Sequence, residues 1–215
     1  MPNIKTHILV AEKLNELYGY DSDKFIIGNI LPDMFTTDHY KSHFNSSFTK
    51  YDYNRLLNRY KKYFDEKNPF LIGYLSHILL DDYFNEHFTK KIIFKDNVPI
   101  GINSCICPIM GDARKIFEMK HDDLDNYDEK LINTYDFKKI EDFSVIDEIP
   151  SIPENKYSKE KIVDALEKHN RQIDEFKDEN RDYNFIIYSE DEIDYLLDKS
   201  VSHVDKKIKS LLLKK

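Results

Sequence analysis

The sequence predicts an all-α protein, a multi-helix bundle built around a buried central helix at about residues 69–88. Three observations support this fold class. Apolar residues recur at helical spacing in several segments, the segment 69–88 is apolar on nearly every side, and candidate strands are limited to 92–94 and 185–188. A helix that is apolar all round is buried among other helices in a water-soluble protein. We therefore expect this segment at the centre of the bundle.

The elements before the central helix are short. An amphipathic helix is predicted for residues 6–17, and a short apolar run at 25–30 follows it. Pro32 ends that run, because the residue before a proline avoids helical geometry. Residues 37–48 have no clear periodicity and are expected to form a loop or a broken helix. A second amphipathic helix is predicted for 54–64.

The elements after the central helix are longer and more charged. A helix is predicted to begin at Ile109 and to continue through Leu124. Residues 136–153 are expected to be irregular, either a long connection or a small subdomain. Two charged helices follow, one that opens at Ser158 and one that covers 190–213, and both are assigned to packing across the bundle or to a partner. At this length, we expect a single domain, 1–215.

Charge limits the classes of ligand. The net charge of −8 argues against binding to nucleic-acid duplexes, because non-specific affinity for them comes from Lys and Arg that neutralise phosphates. Phosphate substrates are still allowed, since bound divalent ions can supply positive charge locally.

The cysteines and the hydropathy pattern indicate a compartment. Cys105 and Cys107 are the only cysteines, and their spacing disfavours a structural disulfide, which fits a reducing environment. The sequence has no charged leader followed by an apolar run and no apolar stretch of about 18 residues. We expect a soluble, cytoplasmic protein without a transmembrane segment. Its oligomeric state is not indicated.

The central helix contains two polar side chains that require an explanation. His77 and Asp81 are four residues apart, so they share one face of the helix. A buried carboxylate is costly unless it is paired or bound to a metal ion. This helix alone leaves two interpretations open, a His–Asp hydrogen bond in the core or a metal site.

Other imidazole and carboxylate groups have ordinary interpretations when each is taken alone. His7 lies at the start of a helix, where histidines are commonly exposed or capping residues. Asp33 follows a proline, and aspartate is frequent in turns. His169 lies on an apolar stripe, which is typical of a core histidine. His121 and Asp125 are four residues apart in an acidic stretch that is typical of a solvated face.

The order of these groups and their local strings resemble a known family. The series comprises His7 in THILVAE, Asp33 in GNILPD, His43 in SHF, and His77, Asp81 and His87 in GYLSHILLDDYFNEH. It is similar to the zinc-dependent phospholipase C family, an all-helical superfamily that also contains trinuclear-zinc single-strand nucleases. The resemblance covers about residues 5–90, and its SHF string is the reason for choosing His43 over His39.

The resemblance implies which residues bind two of the ions. One zinc ion would be held by four residues, which are Asp33, His43, His77 and Asp81. Asp81 would also bridge to a second ion held with His7. These neutral imidazole and carboxylate groups suit zinc.

The resemblance also implies a third ion and a further ligand. His87 would be the first ligand of the third ion, and His121 with Asp125 would complete it. His87 lies ten residues beyond His77, about 15 Å along a continuous helix, which agrees with separate ions. Loss of Met1 would leave the amine of Pro2 as an added ligand beside His7.

The implied function is a zinc-dependent hydrolase of phosphate esters, phospholipase C-like or another phosphodiesterase. A hydroxide that bridges the ions would attack a small-molecule or lipid phosphodiester, and Asp33 would help to form this hydroxide by deprotonating the bound water. Two alternatives remain open. One is a helical phosphohydrolase of the His-Asp type, whose contiguous pair occurs here only at His121–Asp122. The other is a non-catalytic helical scaffold with a structural metal site, in which the charged C-terminal helices form the working surface.

Overall fold

The computed structural model is predominantly helical, which confirms the predicted fold class. It describes residues 3–34, 39–47, 50–153, 157–175, 177 and 181–213. Its helices are α1 (Ile4–Tyr18), α2 (Ser22–Ile30), α3 (His39–Ser42), α4 (Tyr53–Arg59), α5 (Lys61–Asp65), α6 (Pro69–Lys91), α7 (Ala113–Thr134), α8 (Lys159–Asp174) and α9 (Glu190–Leu213), with 3-10 helices at Leu31–Met34 and Phe143–Glu148.

The described strands form two small antiparallel sheets. The strands are β1 (Asn45–Ser47), β2 (Lys50–Tyr51), β3 (Ile92–Lys95), β4 (Val98–Asn103) and β5 (Pro108–Met110). β1 pairs with β2, and the second sheet has the order β3-β4-β5. β3 confirms the candidate strand at 92–94.

The long helix α6 is the centre of the core. The side chain of Asn68 accepts a hydrogen bond from the backbone N–H of Leu71 at 3.3 Å, and Pro69 occupies the first turn, as their types suggest. Every residue from Phe70 to Asp81 is buried. Helices from both ends of the chain, α1, α2 and α9, contact α6.

The helices α2 and α6 approach each other through two glycines. A Cβ atom added to Gly73 would lie 2.2 Å from the carbonyl oxygen of Phe25, and one added to Gly28 would lie 2.2 Å from that of Phe70. Only glycine allows backbones to approach so closely. This contact fixes the depth at which α6 is buried.

Several predicted boundaries were wrong. The helix expected from Ile109 begins at Ala113, because residues 108–110 pair with β4 as a strand. The helix expected for 54–64 is divided at Tyr60 into α4 and α5.

The region 37–48 contains α3 and β1, and residues 37, 38 and 48 lie outside the described part. The candidate strand 185–188 is not a strand. The backbone N–H groups of Ile186, Ile187 and Tyr188 instead donate to the buried carboxylate of Asp123 at 2.6, 2.7 and 2.9 Å. These bonds satisfy the backbone without strand pairing.

The C-terminal helices complete the core. Ser158 caps α8 through a hydrogen bond from the N–H of Lys161 at 3.3 Å, and α9 covers the predicted range. The buried hydrophobic cluster extends from Ile8 in α1 to Ile208 in α9. None of the helices in the described ranges has the length and apolar character that crossing a membrane requires.

Candidate metal centre

Five predicted ligands come together in the core. His7 belongs to α1, Asp33 to the 3-10 helix after α2, and His43 follows α3, while His77 and Asp81 lie on α6. Potential ligand atoms lie within 4.8 Å of one another in two groups, His7 with His77 and Asp81, and Asp33 with His43 and His77. Because His77 belongs to both groups, they form one continuous centre.

Local structure holds His43 in place. The hydroxyl of Tyr74, one turn before His77 on α6, donates a hydrogen bond to the carbonyl oxygen of Ser42. The Ser42 Oγ atom also lies 3.0 Å from His43 Nδ1. These contacts leave the His43 Nε2 atom directed at the carboxylates.

The carboxylate of Asp81 lies at the centre of three imidazoles. Its Oδ1 atom is 3.3 Å from His7 Nε2, and its Oδ2 atom is 3.4 Å from the Nε2 atoms of both His43 and His77. The Oδ1 atom of Asp33 is 3.3 Å from His43 Nε2 and 3.8 Å from His77 Nε2. Both carboxylates can therefore reach the Nε2 atoms of His43 and His77, and Asp81 also reaches that of His7.

Only one of the five side chains reaches the surface. Asp33 is 27% exposed, whereas the other four are at most 1% exposed. Access to the centre is therefore from the side of Asp33.

The residues present fit zinc. Both oxygens of Asp81, both ring nitrogens of His7 and Nδ1 of His77 are buried, and none has a hydrogen-bond partner within the described ranges. Such groups are costly in a protein core unless they are satisfied. In addition, the Nε2 atoms of His43 and His77 are only 3.2 Å apart. Cations among these atoms would satisfy them together, and the mixed nitrogen and oxygen donor set is one that zinc prefers.

The electrostatics keep both carboxylates ionised. Burial acts to raise the pKa of Asp33, but the adjacent His77 and a hydrogen bond with His43 outweigh it and lower the pKa to about 2. Burial also opposes the ionisation of Asp81, but the adjacent His77 and His7 outweigh it and hold the pKa of Asp81 well below its usual range. The centre therefore presents two negative charges to a cation.

The structure places the remaining candidates elsewhere. His87 is half-buried, its ring lies 4.6 Å from the ring of Tyr83, and it lines a separate groove of about 340 Å³. His121 and Asp125 are exposed on α7, and the side-chain amide of Asn3 donates to Asp125. Within the described ranges, neither group of ligand atoms includes these three residues. Their role in a third site remains a prediction.

Two further ligand choices involve atoms outside the described part of the chain. The structure describes α3 but not the side chain of His39, so the choice between His39 and His43 rests on the position of His43 in the centre. Met1 and Pro2 also lie outside the described residues.

A cleft of about 590 Å³ includes Asp33 in its lining. Its other polar lining residues are Asn3, Lys5, Asp125, Asp128, Glu129, Lys168, His169 and Gln172. Most of these residues come from α7 and α8; the sequence connected α7 only with the third ion, through His121 and Asp125, and did not connect α8 with a metal site. The volume is typical of small-molecule sites.

Sequence reasoning missed two residues near the centre, the half-buried Asp128 and the buried Lys120. Asp128 accepts hydrogen bonds from the backbone N–H groups of Lys5 and Thr6 at 2.8 and 3.0 Å, and so holds the start of the helix that carries His7. Lys120 is only 3% exposed, with its amine 4.3 Å from the centroid of the Phe88 ring. Lys120 lies midway between Ile116 and Leu124 on one apolar stripe of the helix, and this spacing could have indicated its burial.

Comparison with known proteins identifies the family. A family model described as zinc dependent phospholipase C matches residues 6–210 of the 215-residue chain. No curated protein and no solved structure matches it significantly. The matched range includes all five residues of the centre and the cleft residues on α7 and α8. On this match, and with a centre whose donor atoms suit zinc, the chain belongs to the zinc-dependent phospholipase C family.

Proposed function

We propose that the protein is a zinc-dependent hydrolase of phosphodiesters, with a lipid phosphodiester as the substrate class that its family favours. The observation that carries this proposal is the Asp81 carboxylate, which is fully buried, faces three imidazoles and lacks a hydrogen-bond partner among the described residues. A hydrogen-bonded core pair would satisfy the carboxylate without cations. The cytoplasmic location predicted from the sequence belongs to this proposal as well.

The two groups of ligand atoms support two neighbouring zinc ions. Asp33, His43, His77 and Asp81 would hold one ion, and His7 with Asp81 would hold the other. His87, with His121 and Asp125, is proposed as a separate third site, but its distance from the centre gives that site less support.

The chemistry assigns a distinct task to each carboxylate. Bound zinc ions would lower the pKa of a water molecule and withdraw charge from the phosphoryl oxygens during in-line attack. Asp81 would hold both ions at a fixed separation. Asp33 is ionised and is the partly exposed member of the centre, so it is placed to orient the attacking water and accept its proton.

The cleft beside Asp33 would bind the substrate around its phosphate. The cleft offers carboxylates at Asp125 and Glu129 and a cation at Lys168, so a polar head group could find partners of either sign. The four buried members of the centre are shielded from bulk solvent, which strengthens electrostatic interactions with a bound phosphate.

The test is zinc content and hydrolysis for the wild type and the Asp81→Asn variant. Protein is purified without a chelator or a histidine tag, zinc per chain is measured by elemental analysis, and activity is assayed on phospholipids and on a soluble phosphodiester. Asp82→Asn is the matched control, because Asp82 is the next residue on α6 and accepts a hydrogen bond from Tyr53 outside the centre.

We expect zinc-loaded wild type and control, and loss of both zinc and activity in Asp81→Asn. A folded wild type that binds no zinc after addition of the metal would overturn the proposal in favour of a core hydrogen-bond network. Zinc in a closed site without any hydrolysis would favour the scaffold alternative. The His-Asp alternative gains no support from the structure, since His121 and Asp122 are both exposed.

A further inference from the structure

The β3-β4-β5 sheet exposes an unusual amount of apolar surface. Four large apolar side chains in it or its connecting turn are strongly exposed, namely Phe94 (51%), Val98 (57%), Ile106 (85%) and Met110 (59%), and we call them the sheet patch. Within the described ranges, only Leu17 and Tyr195 are other large apolar side chains with such exposure. Exposed apolar surface that is concentrated in one small sheet can mark an interaction site.

The sheet has one face in the core and one face outside. Ile102 pairs with Ile92 and Ile109 and is fully buried, so this face packs on the protein. The next position along β4, Gly101, pairs with Met110, and side chains alternate between the faces of a sheet. Met110 therefore points outward.

Ile106, the most exposed member of the sheet patch, lies in a turn that hydrogen bonds hold in place. Ser104 Oγ accepts hydrogen bonds from the backbone N–H groups of Ile106 and Cys107, both at 3.2 Å, and donates to the carbonyl oxygen of Cys107 at 2.6 Å. The neighbouring thiol of Cys105 donates to the carbonyl oxygen of Ile186 at 3.3 Å. These bonds fix the position of an isoleucine that no local packing covers.

The charge pattern of the sheet differs from that of the rest of the chain. In a protein with 33% charged residues and a net charge of −8, residues 92–110 contain only Lys95 and Asp96. The flanks are basic on balance, with Lys90 and Lys91 before the sheet and Arg114 and Lys115 after it, against one acid, Asp112.

Two of the flanking basic groups, Lys90 and Arg114, remain available to a ligand. Lys90 and Arg114 form exposed ion pairs with Glu86 and Glu118 on their own helices. Such pairs contribute little and exchange readily. Lys91 is instead held by Glu192 at 2.9 Å.

An apolar surface with a basic border fits the interface of a bilayer, where apolar side chains enter the acyl boundary and basic side chains meet anionic head groups. We propose that the sheet patch docks the protein on the surface of a lipid bilayer that contains anionic lipid. This inference rests on the proposed function, because a lipid substrate has to be reached in a bilayer.

The sheet is directly connected to the metal centre. β3 follows α6 without an intervening residue, and Asp81 lies eleven residues before Ile92, which is about 16 Å along the helix axis. Docking through the sheet would therefore bring the centre close to the bilayer without any helix entering it.

The first test uses the native cysteines as probes. In a Cys105→Ser variant, Cys107 is the only thiol and can carry an environment-sensitive fluorophore beside Ile106. We expect its emission to shift to the blue when vesicles of phosphatidylcholine with phosphatidylserine are added. A control carries the fluorophore at Leu17→Cys in a Cys105→Ser, Cys107→Ser background, and its emission should not change.

The second test measures sedimentation with the same vesicles. Phe94→Ser with Ile106→Ser should weaken binding at least about tenfold, because two apolar side chains no longer leave water. Lys95→Gln should weaken it about fivefold, and high salt should remove this difference. Leu17→Ser and Lys206→Gln are the matched exposed controls, and both should bind as the wild type does.

Two results would overturn the inference. The first is a wild type that does not bind vesicles, or sheet variants that bind as well as the controls. The second is a wild-type dimer in sedimentation that the Phe94→Ser, Ile106→Ser variant dissociates, with the blue shift of Cys107 present before vesicles are added. That result would assign the patch to a second copy of the chain.

Activity on a soluble phosphodiester separates this inference from the proposed function. Hydrolysis of the soluble compound without vesicle binding would remove only the docking surface. Vesicle binding without hydrolysis of any phosphodiester would remove the proposed function and leave the docking surface in place.

Discussion

The residue pair Lys5 and His169 shows how a buried cation can be accommodated beside the cleft. The amine of Lys5 lies 2.7 Å from His169 Nδ1, and His169 Nε2 lies 3.1 Å from the carbonyl oxygen of Lys138. A neutral imidazole with its hydrogen on Nε2 satisfies both contacts, since it accepts from Lys5 and donates to Lys138. Burial, assisted by the charge of Lys5, lowers the pKa of His169 to about 4.

This lowered pKa predicts a loss of stability in acid. Between pH values of about 6.5 and 4, the histidine binds a proton in the unfolded chain but not in the folded one. The free energy of unfolding should therefore fall as the pH falls through this range, by on the order of 3 kcal/mol from this group. Urea unfolding of the wild type and of His169→Gln at pH 7 and pH 4.5 measures this fall. The free energy of unfolding of His169→Gln should decrease less between the two pH values than that of the wild type.

Asp128 titrates in the same pH range, so the effect of His169 has to be measured against the His169→Gln variant. Burial raises the pKa of Asp128 to about 6, so its own contribution to stability grows as the pH falls through that value. Both proteins retain Asp128, and the difference between them isolates His169. Parallel losses in the two proteins would show that His169 is not the group that titrates.

Residue types alone could identify part of the centre. His77 and Asp81 were recognisable because polar groups in an apolar helix require partners. His7 and Asp33 became candidates only through the ordered resemblance to a family, since each has an ordinary interpretation alone. The partnership of Lys5 and His169 could not be foreseen, because nothing local relates residues so far apart in sequence. The interpretation of His169 as a core histidine agrees with its exposure of 1%.

At the scale of elements, the contact between α2 and α6 sets the position of the centre. Gly73 lies one turn before His77, and its Cα atom faces the backbone of α2. Any shift of α6 away from α2 would move His77 and Asp81 relative to Asp33, which follows α2 directly.

The variant Gly73→Ala tests this contact. Alanine in a helix interior normally stabilises relative to glycine by roughly 0.5–1 kcal/mol. Here the added Cβ would lie 2.2 Å from the Phe25 carbonyl oxygen, so we expect destabilisation by about 1–3 kcal/mol and weaker zinc binding. Urea unfolding and zinc content measure the two effects.

A second glycine provides the control. Gly111→Ala would meet only the flexible side chain of Lys115, and its unfolding free energy should change by no more than about 0.5 kcal/mol. If Gly73→Ala were as stable as the wild type, the close approach of the two helices would not constrain α6.

Long helices were predicted best, and short strands least well. The apolar pattern of α6 and the stripe of α9 are local properties of the sequence, and both helices lie close to their predicted bounds. β4 and β5 were missed because they form strands only by pairing with each other and with β3, and no local pattern indicates this pairing. In addition, β4 contains Pro99 and Gly101, which disfavour strands. The run 185–188 shows the converse, since Asp123 binds its backbone and replaces a partner strand.

For the whole molecule, the metal centre links four separate elements. α1, the 3-10 helix after α2, the turn after α3, and α6 each contribute at least one of the five residues. These residues lie together only in the folded chain, so the free energy of the proposed zinc binding would add to the free energy of folding. The all-α class followed from local periodicity, but this convergence required the fold.

We therefore predict that zinc removal lowers the melting temperature. Zinc at a thousandfold excess over its dissociation constant would contribute about 4 kcal/mol per site, and each kcal/mol corresponds to about 2–4 °C for a chain of this size. Thermal unfolding of the wild type, with zinc and after treatment with a chelator, should differ by on the order of 10 °C. In Asp81→Asn the two curves should nearly coincide.

The comparison of the two conditions is the sharpest part of this prediction. Without zinc, the adjacent His77 and His7 outweigh burial and hold the pKa of Asp81 well below its usual range, so the neutral amide of Asp81→Asn should already cost some stability. We expect the deficit of the variant to be much larger in zinc than after chelation, because only the wild type gains the binding energy. An equal deficit in both conditions would show that Asp81 holds the core together through its contacts with His7, His43 and His77, without any need for metal.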